Sequence, residues 1–142
     1  MIRFGTGVHI GRPPGEVFAL VGDPETYPRW NSAVQAVVPD AGGGGRRFRM
    51  QRMLPSGPAE NLLEIVRSDP PLEFVIRASE GPTPFTYHYR LEAANDGTDL
   101  SLDAEVEISG AISLLGPVAK VAVKRGVDVN LGTLRALLER GA

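Results

Sequence analysis

The last quarter of the chain carries a single apolar stripe at helical spacing, and everything ahead of it must provide a surface to bury that stripe. Counted at 100° per residue over Pro117 to Arg140, Val123, Val127, Leu131, Leu134 and Leu138 fall on one side, with Leu137 and Asn130 at its edge. Lys124, Asp128, Arg135 and Glu139 lie off the stripe. Pro117 suits the first turn, where its missing N–H costs nothing. At 1.5 Å per residue the helix would be about 36 Å long, enough to cross a whole sheet. Gly126 and Gly132 each cost roughly 1 kcal/mol relative to alanine there. They therefore point either to close backbone packing on a sheet or to room for a ligand.

Upstream of the helix the apolar period is mostly two. Residues 2–10 alternate weakly as a first strand, and Pro13-Pro14 closes it. Glu16 to Val21 reads as a short helix. A second short helix starts at Asp23, a good N-cap followed by Pro24 and Glu25. Pro28 disfavours helical geometry at Tyr27 and predicts an end within about a turn. Strands are then predicted over Val34–Val38, Arg46–Leu54, Glu60–Arg67, Leu72–Ala78, Phe85–Ala93 and Thr98–Ser109. Their joints carry turn residues: the Gly42–Gly45 run, Pro55-Ser56-Gly57-Pro58, Asp69-Pro70-Pro71, Gly81-Pro82 and Asp96-Gly97. Strands joined by such short turns must be antiparallel.

The last two strands can be placed in register. A two-residue turn at Asp96-Gly97 predicts Leu91 opposite Leu102, Tyr89 opposite Ala104, Tyr87 opposite Val106 and Phe85 opposite Ile108. It also predicts Arg90 opposite Asp103 and His88 opposite Glu105, so one face is apolar and the other charge-complementary. The whole chain is expected to be one α+β domain, residues 1–142, its long helix covering the apolar face of an antiparallel sheet.

Composition narrows the chemistry. A chain of 142 residues can bury roughly 68–70% of its extended surface and needs no metal or disulfide staple. It has no cysteine, which excludes disulfides, thiolate catalysis and cysteine-bound zinc or iron–sulfur clusters. Its two histidines, His9 and His88, make a histidine metal site an unfavourable reading, and no cofactor is expected. A formal net charge of −2 argues against nucleic-acid binding. Without an apolar leader or a spanning run, the expected location is the cytoplasm with no stable membrane anchor, as a monomer or homodimer.

The order of elements and several local motifs resemble the START-related helix-grip superfamily (SRPBCC-type), which includes the polyketide cyclase/dehydrase family and the birch-pollen-allergen-like proteins. The motifs are Pro13-Pro14-Gly15-Glu16-Val17-Phe18, Asp23-Pro24-Glu25-Thr26-Tyr27-Pro28-Arg29-Trp30-Asn31, the Pro70-Pro71-Leu72 turn, Gly97-Thr98 with its alternating strand, and the C-terminal Asn130-Leu131 and Leu137-Leu138-Glu139. The resemblance covers essentially the whole chain. It implies a curved sheet of about seven strands gripping the long helix, with a cavity between them. Residues facing the cavity would be Phe48, Met50, Ile76, Tyr87, Tyr89, Leu102, Ala104, Val127, Asn130, Leu131 and Leu134. Trp30 would stand at its mouth, with Met53 and Leu54 on the rim.

The polar residues in this set each have two readings. Tyr87 and Tyr89 are core tyrosines bonded to backbone or water, or one of them orients a ligand carbonyl or phenol. Arg52 shares parity with Phe48 and Met50. It either turns to solvent at a strand end or points inward, where a guanidinium needs an acidic side chain or an anionic ligand group. Asn130 offers its amide to the cavity or to a neighbouring loop. His88 and the face bearing Asp99, Asp103, Glu105 and Glu107 read as a solvated outer surface, because the opposite face is apolar. The Gly42–Gly45 run lacks the Lys-Ser/Thr and the following helix of a phosphate loop, and Arg46, Arg47 and Arg49 make its hairpin basic.

Three functions are compatible with this pattern. The first is a carrier or sensor of a small hydrophobic molecule, lipid-, polyketide- or aromatic-like. The second is an aromatase/cyclase-like enzyme using Tyr87, Tyr89, Arg52 or Asn130. The third is an interaction module using the basic hairpin or a sheet edge.

Overall fold

A computed structural model describes residues 1–108 and 116–141. Strand β1 (Ile2–Ile10) leads into helix α1 (Pro14–Val21) and a 3₁₀ helix (Pro24–Arg29). Six strands follow: β2 (Val34–Pro39), β3 (Arg47–Leu54), β4 (Gly57–Asp69), β5 (Glu73–Ser79), β6 (Phe85–Ala94) and β7 (Gly97–Val106). Helix α2 (Pro117–Glu139) closes the order. The expected end of the last strand at Ser109 lies outside the described residues.

The seven strands form one antiparallel sheet in the order β1-β7-β6-β5-β4-β3-β2. Strands β2 to β7 are a meander of neighbours, and β1 returns to lie beside β7. Along the strands the deeply buried positions alternate on the inward face: Phe48 and Met50 on β3, Phe74, Ile76 and Ala78 on β5, Leu100, Leu102, Ala104 and Val106 on β7. Against them α2 buries Ala119, Val127, Leu131, Leu134 and Leu138, while Val123 and Leu137 pack at the edge. This is the curved sheet gripping a helix that the apolar patterns predict.

Three local readings are corrected. The 3₁₀ helix continues past Tyr27 to Arg29, because its exit is closed at Tyr27 O by the N–H groups of Trp30 (3.1 Å) and Asn31 (2.8 Å), so Pro28 need donate nothing. Strand β4 begins at Gly57, not Glu60, and absorbs one extra residue between Ile65 and Arg67; such a bulge re-aims the strand. The β6–β7 register differs from the predicted one by two residues: Leu91 faces Leu100, Tyr89 faces Leu102, Tyr87 faces Ala104 and Phe85 faces Val106. Arg90 lies opposite Ser101 and His88 opposite Asp103. Asn95 and Asp96, both at positive φ (49° and 62°), form the turn, so Gly97 is the first residue of β7. A slip of two leaves every side chain on its predicted face, since the pleat repeats every two residues.

Polar contacts pin α2 to the first strand. Thr6 donates to Asp128, whose other oxygen accepts from Lys124 at 2.9 Å. Glu139 accepts the Gly11 N–H at 2.8 Å and binds Arg135 at 3.2 Å. The Gly11 amide, with help from Arg135, holds the Glu139 carboxyl below the usual range. Burial pushes Asp128 up, but its bonds from Thr6 and Lys124 prevail and its pKa is lowered. A carboxylate with a depressed folded pKa stabilises the fold above its unfolded value, about 4. That contribution disappears as pH falls through the folded value. Urea midpoints are therefore expected to fall steadily below about pH 4 to 5, with a shallower decline in Glu139→Gln; equal pH slopes would remove Glu139 from this role.

Neither reading of the helix glycines holds. A Cβ added at Gly126 or Gly132 meets nothing within 4 Å, and both residues are exposed on the outer side of α2. They neither allow close packing nor make room for a ligand. Gly126→Ala and Gly132→Ala should each stabilise the protein by up to about 1 kcal/mol, read as a higher urea midpoint with an unchanged m-value.

Candidate functional site

Between the sheet and α2 lies a cavity walled by residues from five parts of the chain. Tyr27, Trp30 and Asn31 come from the 3₁₀ helix and its exit, and Ala33 and Val34 from the entry to β2. Met50 and Arg52 come from β3, Phe85, Tyr87 and Tyr89 from β6, and Val127, Asn130 and Leu131 from α2. Space for the centres of water-sized spheres is about 60 Å³. At roughly 10–15 Å³ per water that is room for a few waters or a small organic group.

Of the residues expected to face a cavity, Trp30, Met50, Arg52, Tyr87, Tyr89, Val127, Asn130 and Leu131 line this one. Phe48, Ile76, Leu102, Ala104 and Leu134 do not; they are buried in the packed core beyond it. They share the inward face, but a cavity occupies only one end of that face, and periodicity does not mark which end. Met53 is exposed beside the site and Leu54 half-buried, and neither is part of the wall. Sequence reasoning missed Tyr27, Asn31, Ala33, Val34 and Phe85. The signal for Tyr27 and Asn31 was their place flanking Trp30; Phe85 shares parity with Tyr87 and Tyr89.

The aromatic wall is ordered by ring contacts. Tyr27 and Trp30 meet edge-on at 5.2 Å, Phe85 stacks on Tyr87 at 4.2 Å, and Tyr87 meets Tyr89 edge-on at 6.2 Å. Tyr27 donates to Val21 O (3.2 Å) and the Trp30 indole to Thr26 (3.3 Å), so these two are held in place by their polar ends. Among the described residues the Tyr87 and Tyr89 hydroxyls and the Asn130 amide have no hydrogen-bond partner.

Burial keeps the phenols protonated. It pushes Tyr87 up to about 12, against the opposing pull of the Arg52 guanidinium, and raises Tyr27 and Tyr89 as well. At neutral pH Tyr87 and Tyr89 are therefore hydrogen-bond donors, and neither is a ready base.

Arg52 points inward. Its Nε donates to Asn61 Oδ1 at 2.9 Å, and its Nη2 donates to Pro82 O (2.6 Å) and Thr83 Oγ1 (2.7 Å). Asn61 is completely buried and also donates to Pro82 O at 3.2 Å, so the two side chains clamp the β5–β6 connection at the cavity wall. Desolvation lowers the Arg52 pKa from its ordinary value. A guanidinium starts so high that it stays charged.

The outer face is a lattice of ion pairs. Arg49 binds Asp40 and Glu60, Arg47 and Arg77 bind Glu64, and Arg90 binds Asp103 at 2.6 Å. His88 is bonded to Glu73 and accepts from Arg90, instead of facing Glu105 as the predicted register had it. The hairpin arginines 47 and 49 are thus neutralised within the chain. Among the described residues no cluster of three or more His, Asp or Glu side chains could hold a metal ion, and no helix is long and apolar enough to cross a membrane.

A family model described as polyketide cyclase / dehydrase and lipid transport matches residues 1–139. The chain belongs to this family. Solved structures agree in fold. TTHA0849 from Thermus thermophilus is 21% identical with a TM-score of 0.81, over 99% of both chains. A START superfamily protein from Mycobacterium smegmatis is 15% identical with a TM-score of 0.83, again over 99% of both. The di-domain ARO/CYC StfQ of the steffimycin biosynthetic pathway is 16% identical with a TM-score of 0.73, over 98% of this chain and 51% of that one. No curated protein matches the chain. The family description spans two kinds of work, lipid transport and polyketide cyclase/dehydrase chemistry.

Proposed function

We propose that this helix-grip protein binds a small hydrophobic molecule in the cavity between sheet and α2, as a carrier or sensor. The observation that carries the reading is the pairing of an apolar, aromatic wall with polar groups that nothing else engages. No side-chain nitrogen or oxygen among the described residues is both sealed and unbonded, so the free polar groups of the wall reach open space where water or a ligand can meet them. Pockets for small molecules have this composition: mostly apolar, with a few convergent polar groups. The size of the space favours a single ring or a short chain over a sterol-sized molecule.

Native mass spectrometry of protein purified from its own host tests this directly. The expected result is a retained small molecule that is lost, with a fall in thermal stability, on denaturation and refolding. A ligand-free protein whose melting temperature is unmoved by a panel of short lipids and aromatics would overturn it. Leu131→Trp, which fills the space from α2, should abolish retention while leaving the fold in place by circular dichroism.

A second reading, aromatase/cyclase-like chemistry, is favoured by one feature. The Tyr87 phenol and the Arg52 guanidinium both line the cavity, so a neutral acid and a fixed cation share one wall. Such a pair could stabilise an enolate oxygen forming on a folded poly-ketone. Tyr87→Phe would then lower turnover by roughly 100-fold, the scale of one general acid. Unchanged turnover would leave binding alone.

A further inference from the structure

We infer that the natural occupant of the cavity is a monoanionic amphiphile, a carboxylate with an apolar body of one ring or a short chain, whose carboxylate docks on Arg52. This rests on the ligand-binding reading above and gives it a chemical class.

The argument begins with how this chain treats its other arginines. Arg3, Arg12, Arg47, Arg49, Arg67, Arg77, Arg90 and Arg135 each have a carboxylate within 4.0 Å. Arg29, Arg46, Arg125 and Arg140 are exposed to water. Among the described residues Arg52 alone is half-buried without a carboxylate. All three of its acceptors, the Asn61 amide, the Pro82 carbonyl and the Thr83 hydroxyl, are neutral. Its charge is therefore partly desolvated and has no carboxylate beside it, an arrangement that costs free energy unless something else supplies the anion.

Geometry says where that anion would sit. The three bonds use Nε and Nη2 and fix the plane of the guanidinium, leaving both N–H groups of Nη1 without a partner among the described residues. No side-chain nitrogen or oxygen there is both sealed from solvent and unbonded, so Nη1 is open to an incoming group. The guanidinium carbon lies 6.0 Å from the centroid of Phe85, which stacks on Tyr87. A carboxylate on Nη1 would thus have an aromatic wall beside it for its body and the Tyr87 hydroxyl as a neighbouring donor. One cation with no second basic residue in the wall matches a single negative charge better than a phosphate dianion. Asn61 acts here as a positioning residue, since it holds Nε and anchors the loop that holds Nη2.

The test uses an isosteric pair, 3-phenylpropanoate and 3-phenylpropanamide, titrated calorimetrically into the wild-type full chain and into Arg52→Gln. The acid is expected to bind at least tenfold more tightly than the amide in wild type, a ratio that falls below about twofold in Arg52→Gln. In wild type, the Arg52 side-chain ¹⁵N resonances should shift with the acid and not with the amide, which keeps the test independent of how well the variant folds. Equal affinities in wild type, or a preference that survives in Arg52→Gln, would overturn the proposal and leave the cavity reading intact. Failure of both compounds to bind at millimolar concentration would overturn the two together.

Discussion

Replacing Leu134 by alanine is expected to lower the free energy of unfolding by about 3–4 kcal/mol, the middle of the range for a fully enclosed leucine. Leu134 has no exposed surface and stands on α2 one turn from Leu131 and Leu138, which are also buried. Two terms add: the lost transfer of the isobutyl group, and a void that the sheet cannot close because its strands are fixed by their neighbours. Val129 on the same helix is 60% exposed, so Val129→Ala should change stability by no more than about 0.5 kcal/mol. The pair is read from urea midpoints. Similar losses at the two sites would mean that α2 is not gripped through this stripe. Leu134 lies outside the cavity wall, so ligand affinity measured well below the melting temperature should be largely retained.

Gly97→Ala carries the second large effect, a destabilisation of about 2–3 kcal/mol or more, as expected for overpacking against an element that cannot yield. A Cβ at Gly97 would lie 2.3 Å from the carbonyl oxygen of Ile10 and 3.1 Å from the Gly11 Cα. Both contacts are backbone, at the last residue of β1 and the one just after it, and the pairing of β1 with β7 starts at Ile10 opposite Thr98. Relief requires β1 and β7 to separate there, straining the bond from Thr98 to Arg12 O as well. Hydrogen exchange should show faster opening of the Ile10 and Thr98 amides. The same exchange of glycine for alanine at Gly132 should stabilise, since that position opens to solvent. A neutral outcome at Gly97 would mean that the β1–β7 ladder is loose at this end.

The contrast between these glycines shows what a sequence pattern can convey. Asp96-Gly97 reads locally as a turn because glycine accepts left-handed geometry. In the fold Asn95 and Asp96 take those angles, and Gly97 is needed because β1, remote in sequence, passes close by. Local chemistry placed the turn within two residues but could not tell which of three suitable residues occupied which position. The error was harmless to the pattern of faces, and Arg90 still reaches Asp103 although the two are no longer directly opposite. Gly126 and Gly132 show the reverse case. Their helical cost was legible, and both explanations offered for it assumed contacts that the outer side of α2 does not make.

The candidate site divides along the same line. Alternation along β3 and β6 was enough to turn Met50, Tyr87 and Tyr89 inward, and the helical stripe was enough for Val127 and Leu131. That Phe48, Ile76, Leu102 and Leu134 face solid core instead depends on where α2 lifts from the sheet. No local period encodes that distance. Arg52 is the sharpest example. Parity left it between solvent and interior, and both its inward direction and its lack of a carboxylate could be seen only once β4 and the β5–β6 connection were in place around it.

By itself, then, the sequence determined the element order, the antiparallel sheet, the face of each strand and the stripe of the long helix. These follow from periodicities of two and 3.6 residues and from turn residues acting over a few positions. Tertiary structure alone decided the register of the last hairpin, the extent of the cavity and the company Arg52 keeps. Each of these is a distance between segments far apart in the chain, set by packing, and packing is a property of the assembled molecule that no single segment carries.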